Sequence, residues 1–438
     1  MTDDRADSGL SRRELLARGA GLAGVAGVAS LLGTTGSSAA DMLLPRRTAL
    51  PQPKKSGIEH VVVVMMENRS FDHFLGWLPG ANGTQAGLSF ADPAGKRHRT
   101  QHLTEWQGCG HPDPDHSWDG GRTQLNGGAC DGWLLGANDE YSIGYYKGAD
   151  LDFYRHAAPY WTVCDKYFAA IMASTYPNRF FMHAAQTDRL NNGGTYPTTL
   201  PTIWDSLAAA DVSAAYYYTD LPFIALWGSK YSDITHPYTQ FQDDCASGNL
   251  PAVSFVDPKF LDEGSGTAGD DHPHSDIRVG QYWLNQVYDA ITNSPAWDST
   301  VLVINYDEWG GFFDHVRPRK APDANPDARL RGFRVPAFVI SPFARRHHVA
   351  HDLYDHTSVL KMIEWRWGLE PLTVRDAAAN NIAEVLDFKN RDLHAPKWNV
   401  PEVVGVACPE ESAEADFEDW LILREHAERS GFDLPTHA

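Results

Sequence analysis

"HVVVVMMENRSFDHFLG", residues 60–76, decides the fold. After His60 the chain runs through four valines and two methionines without a polar interruption. A strand with one wet face alternates apolar and polar residues, so an unbroken β-branched run reads as a strand covered on both faces, the habit of parallel sheets. Glu67, Asn68, Arg69, Ser70 and Asp72 follow at once. Open parallel sheets bind ligands beyond the carboxyl ends of their strands, so this burst of oxygen-bearing side chains stands where chemistry is expected.

Similar runs bounded by Gly, Pro or Asp recur at residues 214–218, 252–256, 301–306 and 334–341, the first one extending over 58–66. Helical patterns fall between them. In "DIRVGQYWLNQVYDAITNS", residues 276–294, Ile277, Trp283, Val287, Ala290 and Ile291 recur near a 3.6 period. "HTSVLKMIEWRWG" closes on Gly368, a helix stop. Strands alternating with helices predict an α/β fold with a mostly parallel central sheet flanked by helices. Residues 80–150 and 259–275 are rich in Gly, Asp and His without periodicity, and read as long loop insertions near function.

The 438 residues are 42% hydrophobic and show no internal repeat, which suits one sizeable core. With 37 Lys and Arg against 57 acidic side chains the net charge is -20, a surface that repels phosphate backbones and excludes nucleic acid as a partner. Residues 11–40, "SRRELLARGAGLAGVAGVASLLGTTGSSAA", put Arg12 and Arg13 ahead of a Gly-rich apolar stretch and small residues. They read as a twin-arginine export signal cleaved near Ala40, too short in its apolar part to span a membrane. The expectation is a secreted protein that meets the twin-arginine export machinery, with a single catalytic domain at 41–438 whose short acidic tail starts at about 405, the run from Glu410 to Asp419 reading as a solvated face. Of five Cys, Cys109 and Cys130 flank one loop and are the candidate disulfide, although spacing does not fix connectivity. Cys164 reads as a buried small apolar residue, and Cys245 with Cys408 is a further pairing without an argument behind it.

Three polar clusters stand at strand ends or a helix start: Glu67 with Asn68, Asp307 with Glu308 in "TVLVINYDEWGGFFDHV", and Ser174 with Thr175 in "MASTYPNRFFMHAA". Thr175 reads as a helix N-cap with Pro177 in the first turn, its hydroxyl at the positive end of the helix dipole. It is a candidate nucleophile or simply a cap. Three carboxylates and an amide oxygen make a hard donor set for a divalent cation: Ca, Mg or Mn by oxygen preference, Zn or Fe if nearby His take part. Each carboxylate pair taken alone is equally a solvated strand-end turn. Among nineteen His, His116, His236, His272, His274, His315 and His356 stand in polar loops, and proton delivery to a leaving oxygen calls for such a group.

In order along roughly residues 57–370, "HVVVVMMENRSFDHFLG", "DPDHSW", "VCDKYFAAIMASTYPNRFFMHAA", "DDHPHSDIRVGQ", "SPAWDSTVLVINYDEWGGFFDHVRP" and "YDHTSVLKMIEWRWG" resemble the bacterial phosphoesterases. That family includes the non-haemolytic-type phospholipases C and a set of acid phosphatases, related to the alkaline-phosphatase superfamily. The resemblance implies that Glu67, Asn68, Asp307 and Glu308 are metal ligands and that Thr175 is a nucleophile also touching the metal. It implies that His116 and His272, with His236 as a looser match, line the phosphate site. His356 reads as structural and His274 has no counterpart.

The function implied is a secreted metal-dependent phospholipase C acting on phosphatidylcholine-like lipids, in transient contact with a membrane surface. A cationic head group suits acidic surroundings, and 14 Trp and 17 Tyr supply aromatic walls. The alternative is a secreted acid phosphatase acting on other phosphoesters, and a third reading is an exported binding protein without turnover. Larger members of the family continue into C-terminal β-rich domains, and the short acidic tail here leads to the expectation of a compact member.

Overall fold

The apolar runs become strands of one sheet. In chain order these are β1 (His60–Met66), β2 (Thr162–Cys164), β3 (Ala214–Tyr218), β4 (Thr235–Pro237), β5 (Val253–Asp257), β6 (Thr300–Tyr306), β7 (Ala337–Ile340) and β8 (His348–Ala350), in the spatial order β8-β2-β7-β6-β1-β5-β3-β4. This computed structural model describes residues 49–408 and 417–435, within the unit Thr48–Ala438. The expected leader at residues 1–40 and most of the acidic run at 410–419 lie outside the described residues.

β1 pairs in parallel with both β5 and β6, and every residue from Val61 to Met66 is buried, as are all of β5 and β6. The unbroken apolar run therefore reflects cover on both faces, and each fully buried valine contributes roughly 1.5–3 kcal/mol. One strand departs from the parallel expectation: β7 runs antiparallel to β6 and to β2. β2, β4 and β8 are three residues each, too short to leave a pattern.

Five helices matter to the site: α1 (Phe71–Leu75), α2 (Thr175–Ala184), α3 (Ile277–Asn293), α4 (His356–Trp367) and α5 (Phe417–Arg429). In α3, Asp276 caps the start by accepting from Arg278 N–H, and Ile277, Trp283, Val287 and Ile291 face the core. α4 ends at Gly368 in the left-handed conformation, as its sequence predicts. Among the described residues no helix is long and apolar enough to cross a membrane.

One expectation about the cysteines is corrected. Cys109 is bonded to Cys408, while Cys130, Cys164 and Cys245 are free and buried. Cys130 is turned into an apolar cluster with Trp133 and Phe313, whereas the Cys109 loop faces the chain near Val406, whose carbonyl accepts from Gln107 at 2.6 Å. Beyond the acidic run, Trp420, Leu423 and Ala427 of α5 are buried, an apolar stripe at helical spacing that the flanking acidic residues obscured.

Candidate active site

Register brings the two carboxylate pairs together. Met66 lies opposite Tyr306, so Glu67–Asn68 and Asp307–Glu308 emerge side by side where neighbouring strands end. Asn68 turns the chain with φ of 57°, a left-handed conformation that Asn tolerates, and its N–H donates to Asp307 Oδ1 at 3.0 Å. Asp307 Oδ1 also accepts from Glu308 N–H at 2.7 Å, and Gly310 N–H donates to Glu308 Oε2 at 2.7 Å. Gly310 has φ of 60° and packs on the Asn68 carbonyl where a Cβ would collide, so only glycine serves there.

α2 delivers Thr175. Ser174, not Thr175, is the N-cap residue, which places Thr175 at the first helical position. Its hydroxyl is thereby released from capping and donates to Glu67 Oε2 at 3.2 Å, with Asn68 Oδ1 3.4 Å away. Glu67, Asn68, Asp307 and Glu308 are 0% exposed, while Thr175 keeps 4%, His272 5% and Ser174 8%, so the carboxylates are closed to solvent and the hydroxyl and the imidazole are not entirely so.

The inner atom of the Asn68 amide lies 3.0 Å from Glu67 Oε2, 2.6 Å from Glu308 Oε1 and 3.2 Å from Asp307 Oδ1. Turned with its NH2 inward, the amide donates to these carboxylates; turned with its oxygen inward, it adds a fourth oxygen, an arrangement that calls for a cation among them. The donor set, hard and anionic and closed to solvent, fits a divalent ion.

Arg179, which the sequence reading passed over, sits one turn after Thr175 on the same face of α2. Its Nε donates to Glu67 Oε1 at 2.8 Å, Nη2 also binds Glu67, and Nη1 reaches Asp257 Oδ1 at 3.3 Å. Burial drives the Glu67 carboxyl well above its usual range against the pull of Arg179, and it pushes Asp257 up to about 6 against the same partner. The spacing of Thr175 and Arg179 in "TYPNR" was the available signal.

Two histidines complete the cluster. His116 Nδ1 lies 2.6 Å from Glu308 Oε1 and its Nε2 3.0 Å from Asp113 Oδ2. Burial alone would lower the His116 ring, but Glu308 and Asp113 outweigh it and hold the ring well above its usual range; burial raises Glu308 in turn to about 7. His272 Nε2 faces the outer atom of the Asn68 amide at 2.9 Å. The His272 loop is fixed by Arg69, which donates to the carbonyls of Asp271 and His272 at 2.6 and 3.1 Å, and by Tyr141, which donates to Pro273 O at 3.0 Å.

Asp113, His116 and His272 are close enough to hold a metal ion, as are Asp72, Asp314 and His315. In the second group Arg334 already pairs with Asp72 at 3.0 Å and with Asp314 at 2.9 Å, so an internal cation meets that charge.

His236 is not brought to this cluster: it lies on β4, the outermost strand, separated from β1 by β3 and β5, with its ring beside Tyr217. His274 approaches the His111 carbonyl at 3.1 Å. His356 occupies the first position of α4, whose cap is Asp355. Its Nε2 is 2.6 Å from the Asp307 carbonyl, and burial lowers the ring to about 4, so a neutral imidazole buttresses the ligand loop.

The Phosphoesterase family profile matches residues 58–370. The chain is 31% identical over 471 aligned residues to Phospholipase C B of Mycobacterium tuberculosis, covering 89% of this chain and 88% of that protein. It is 30% identical over 442 residues to Non-hemolytic phospholipase C of Pseudomonas aeruginosa, covering 82% of this chain and 62% of that protein. A solved structure of a protein in the alkaline phosphatase superfamily from Vibrio parahaemolyticus aligns with a TM-score of 0.37 at 10% identity, covering 74% of this chain and 70% of that one.

Proposed function

The chain belongs to the Phosphoesterase family, and we propose that this phosphoric ester hydrolase is a metal-dependent phospholipase C that cleaves choline-type phospholipids through Thr175. The observation that carries the reading is the meeting of three separate stretches of chain: Glu67 and Asn68 lie 3.2 and 3.4 Å from the Thr175 hydroxyl, and Asp307 and Glu308 meet the Asn68 amide. A divalent cation held by these residues and Thr175 would supply Lewis acidity that lowers the pKa of the hydroxyl and polarises a phosphoryl oxygen.

Thr175 Oγ1 gives its proton toward Glu67 Oε2, 3.2 Å away, and attacks phosphorus in line. The bond from phosphorus to the glycerol oxygen breaks as the bond to Thr175 forms, leaving the phosphorylated head group on the protein. In this reading one of His272 and His116 protonates the leaving oxygen, and both stabilise charge on the phosphoryl oxygens. Water then releases the head group and restores the hydroxyl. Export by the twin-arginine route belongs to the same proposal, and the Cys109–Cys408 bond suits an oxidising compartment.

The test uses Thr175→Val, which keeps the shape and removes the oxygen. Turnover of p-nitrophenyl phosphorylcholine is expected to fall about ten-thousand-fold or more. Hydrolysis at the wild-type rate would end the threonine mechanism. Faster turnover of p-nitrophenyl phosphate than of the choline diester by the wild-type protein would make it an acid phosphatase instead.

A further inference from the structure

His272 presents one nitrogen to the site and the other to a second carboxylate. Its Nδ1 lies 2.9 Å from Glu263 Oε2, while Nε2 faces the Asn68 amide. Glu263 opens the short turn Glu263–Ser265 and is buried. Its other oxygen, Oε1, accepts from the indole N–H of Trp420 at 2.6 Å. Trp420 belongs to α5 and stacks on Phe260 with ring centroids 4.2 Å apart, and the Arg179 guanidinium lies 4.7 Å from the Phe260 centroid on the same aromatic array. The chain leading toward α5 is fastened to the loops around the site by Cys109–Cys408 and by Gln107, which donates to Val406 O at 2.6 Å.

An imidazole works at one nitrogen only when the other is committed, because the partner of Nδ1 fixes both the ring plane and the nitrogen left for chemistry. A carboxylate can commit it only if the carboxylate is itself held. We propose that Glu263 is a positioning residue for His272, locked in place by the indole of Trp420, so that the C-terminal helix forms part of the working site. This rests on the reading that His272 acts on the phosphoryl group or its leaving oxygen. Glu263 touches no reacting atom; it acts through the ring.

The experiment compares the full-length wild-type protein with Glu263→Ala, Glu263→Gln, Trp420→Phe, His272→Ala and the double variant Glu263→Ala/His272→Ala, with p-nitrophenyl phosphorylcholine as substrate. Glu263→Ala is expected to lower kcat about a hundredfold, as for a misplaced catalytic group, with KM moving less than about threefold. Glu263→Gln, which keeps an oxygen acceptor, recovers part of the loss. Trp420→Phe, which keeps the stack on Phe260 and removes the N–H, is expected to lower kcat about five- to tenfold. In the His272→Ala background the Glu263→Ala change costs nothing further. By NMR, a downfield imidazole N–H signal that disappears in His272→Ala also disappears in Glu263→Ala. Additive losses in the double variant, or an N–H signal that survives Glu263→Ala, overturn the positioning role while leaving His272 catalytic. An unchanged kcat in His272→Ala overturns the role of His272 and this proposal together. If Glu263→Ala does not fold, Glu263→Gln and Trp420→Phe decide: wild-type kcat in both overturns the proposal.

Discussion

Arg179→Met takes a buried positive charge out of the site while keeping most of the side chain's apolar volume. In the intact protein the guanidinium binds Glu67 twice, reaches Asp257 at 3.3 Å and the Met65 carbonyl at 3.1 Å, and lies 3.8 Å from Asp307. Removing one side of a buried ion pair costs about 3–5 kcal/mol, because the carboxylates left behind stay desolvated. For a unit the size of Thr48–Ala438, an unfolding entropy of about 2 cal/mol/K per residue converts this into a melting shift of roughly 4–6 °C. A divalent cation among the same carboxylates returns the missing charge, so the shift is expected to shrink to about half or less when metal is saturating. The assay is scanning calorimetry on wild type and variant, each in excess chelator and then in excess cation. Equal shifts under both conditions, or no shift in either, would refute the idea that Arg179 and the cation share one set of carboxylates.

Exhaustive chelation of the wild-type protein is expected to reduce choline-diester turnover to below about 1%, and restoring single cations with elemental analysis identifies the ion; turnover indifferent to chelator removes the metal from the reading. Reducing the Cys109–Cys408 bond, which spans 299 residues, is expected to lower stability by about 2–5 kcal/mol, seen as an earlier urea midpoint, whereas Cys130→Ser leaves the response to reductant unchanged because Cys130 is free. Glu364 is pushed up to about 10 by burial and by Asp376 beside it, from an ordinary 4.5. Its stabilising share is therefore complete below pH 4.5 and is lost as the pH climbs toward 10. Glu364→Gln removes that dependence, so its Tm is expected to exceed wild type by about 2–4 °C at pH 8 and to match it near pH 4.5; a constant difference across that range contradicts the assignment.

What could be read from the sequence follows the range over which each signal acts. The run from Val61 to Met66 announces its own burial, and the polar residues after it mark a strand end, so β1, β6 and the polar pairs that follow them were readable from local pattern alone. Their meeting was not, since it depends on the register of Met66 against Tyr306, positions far apart in the chain. Cys109–Cys408 and Trp420–Glu263 are likewise long-range contacts, and a short-range rule had drawn Cys109 toward Cys130. Arg179 was hidden differently. A lone arginine in a helix is usually a surface residue, and only the depth of Glu67 and Asp257 makes this one an internal counter-charge.

The site divides into two parts that different perturbations should separate. The carboxylates of Glu67, Asp307 and Glu308 are shut off from solvent and tied to Arg179, His116 and backbone N–H groups, so changes there act on folding and on cation affinity together. Thr175 and His272 keep a small opening to solvent, so under the proposed mechanism changes there are expected to act on turnover more than on stability. Glu263 and Trp420 join the parts, buried like the carboxylates yet in touch with the rest of the site through the His272 ring. A substitution that lowers kcat without lowering Tm should therefore map to the reachable edge, and one that lowers both, with rescue by cation, to the closed interior. Glu263→Gln is the informative intermediate, because it preserves the volume of a buried side chain while loosening the His272 ring.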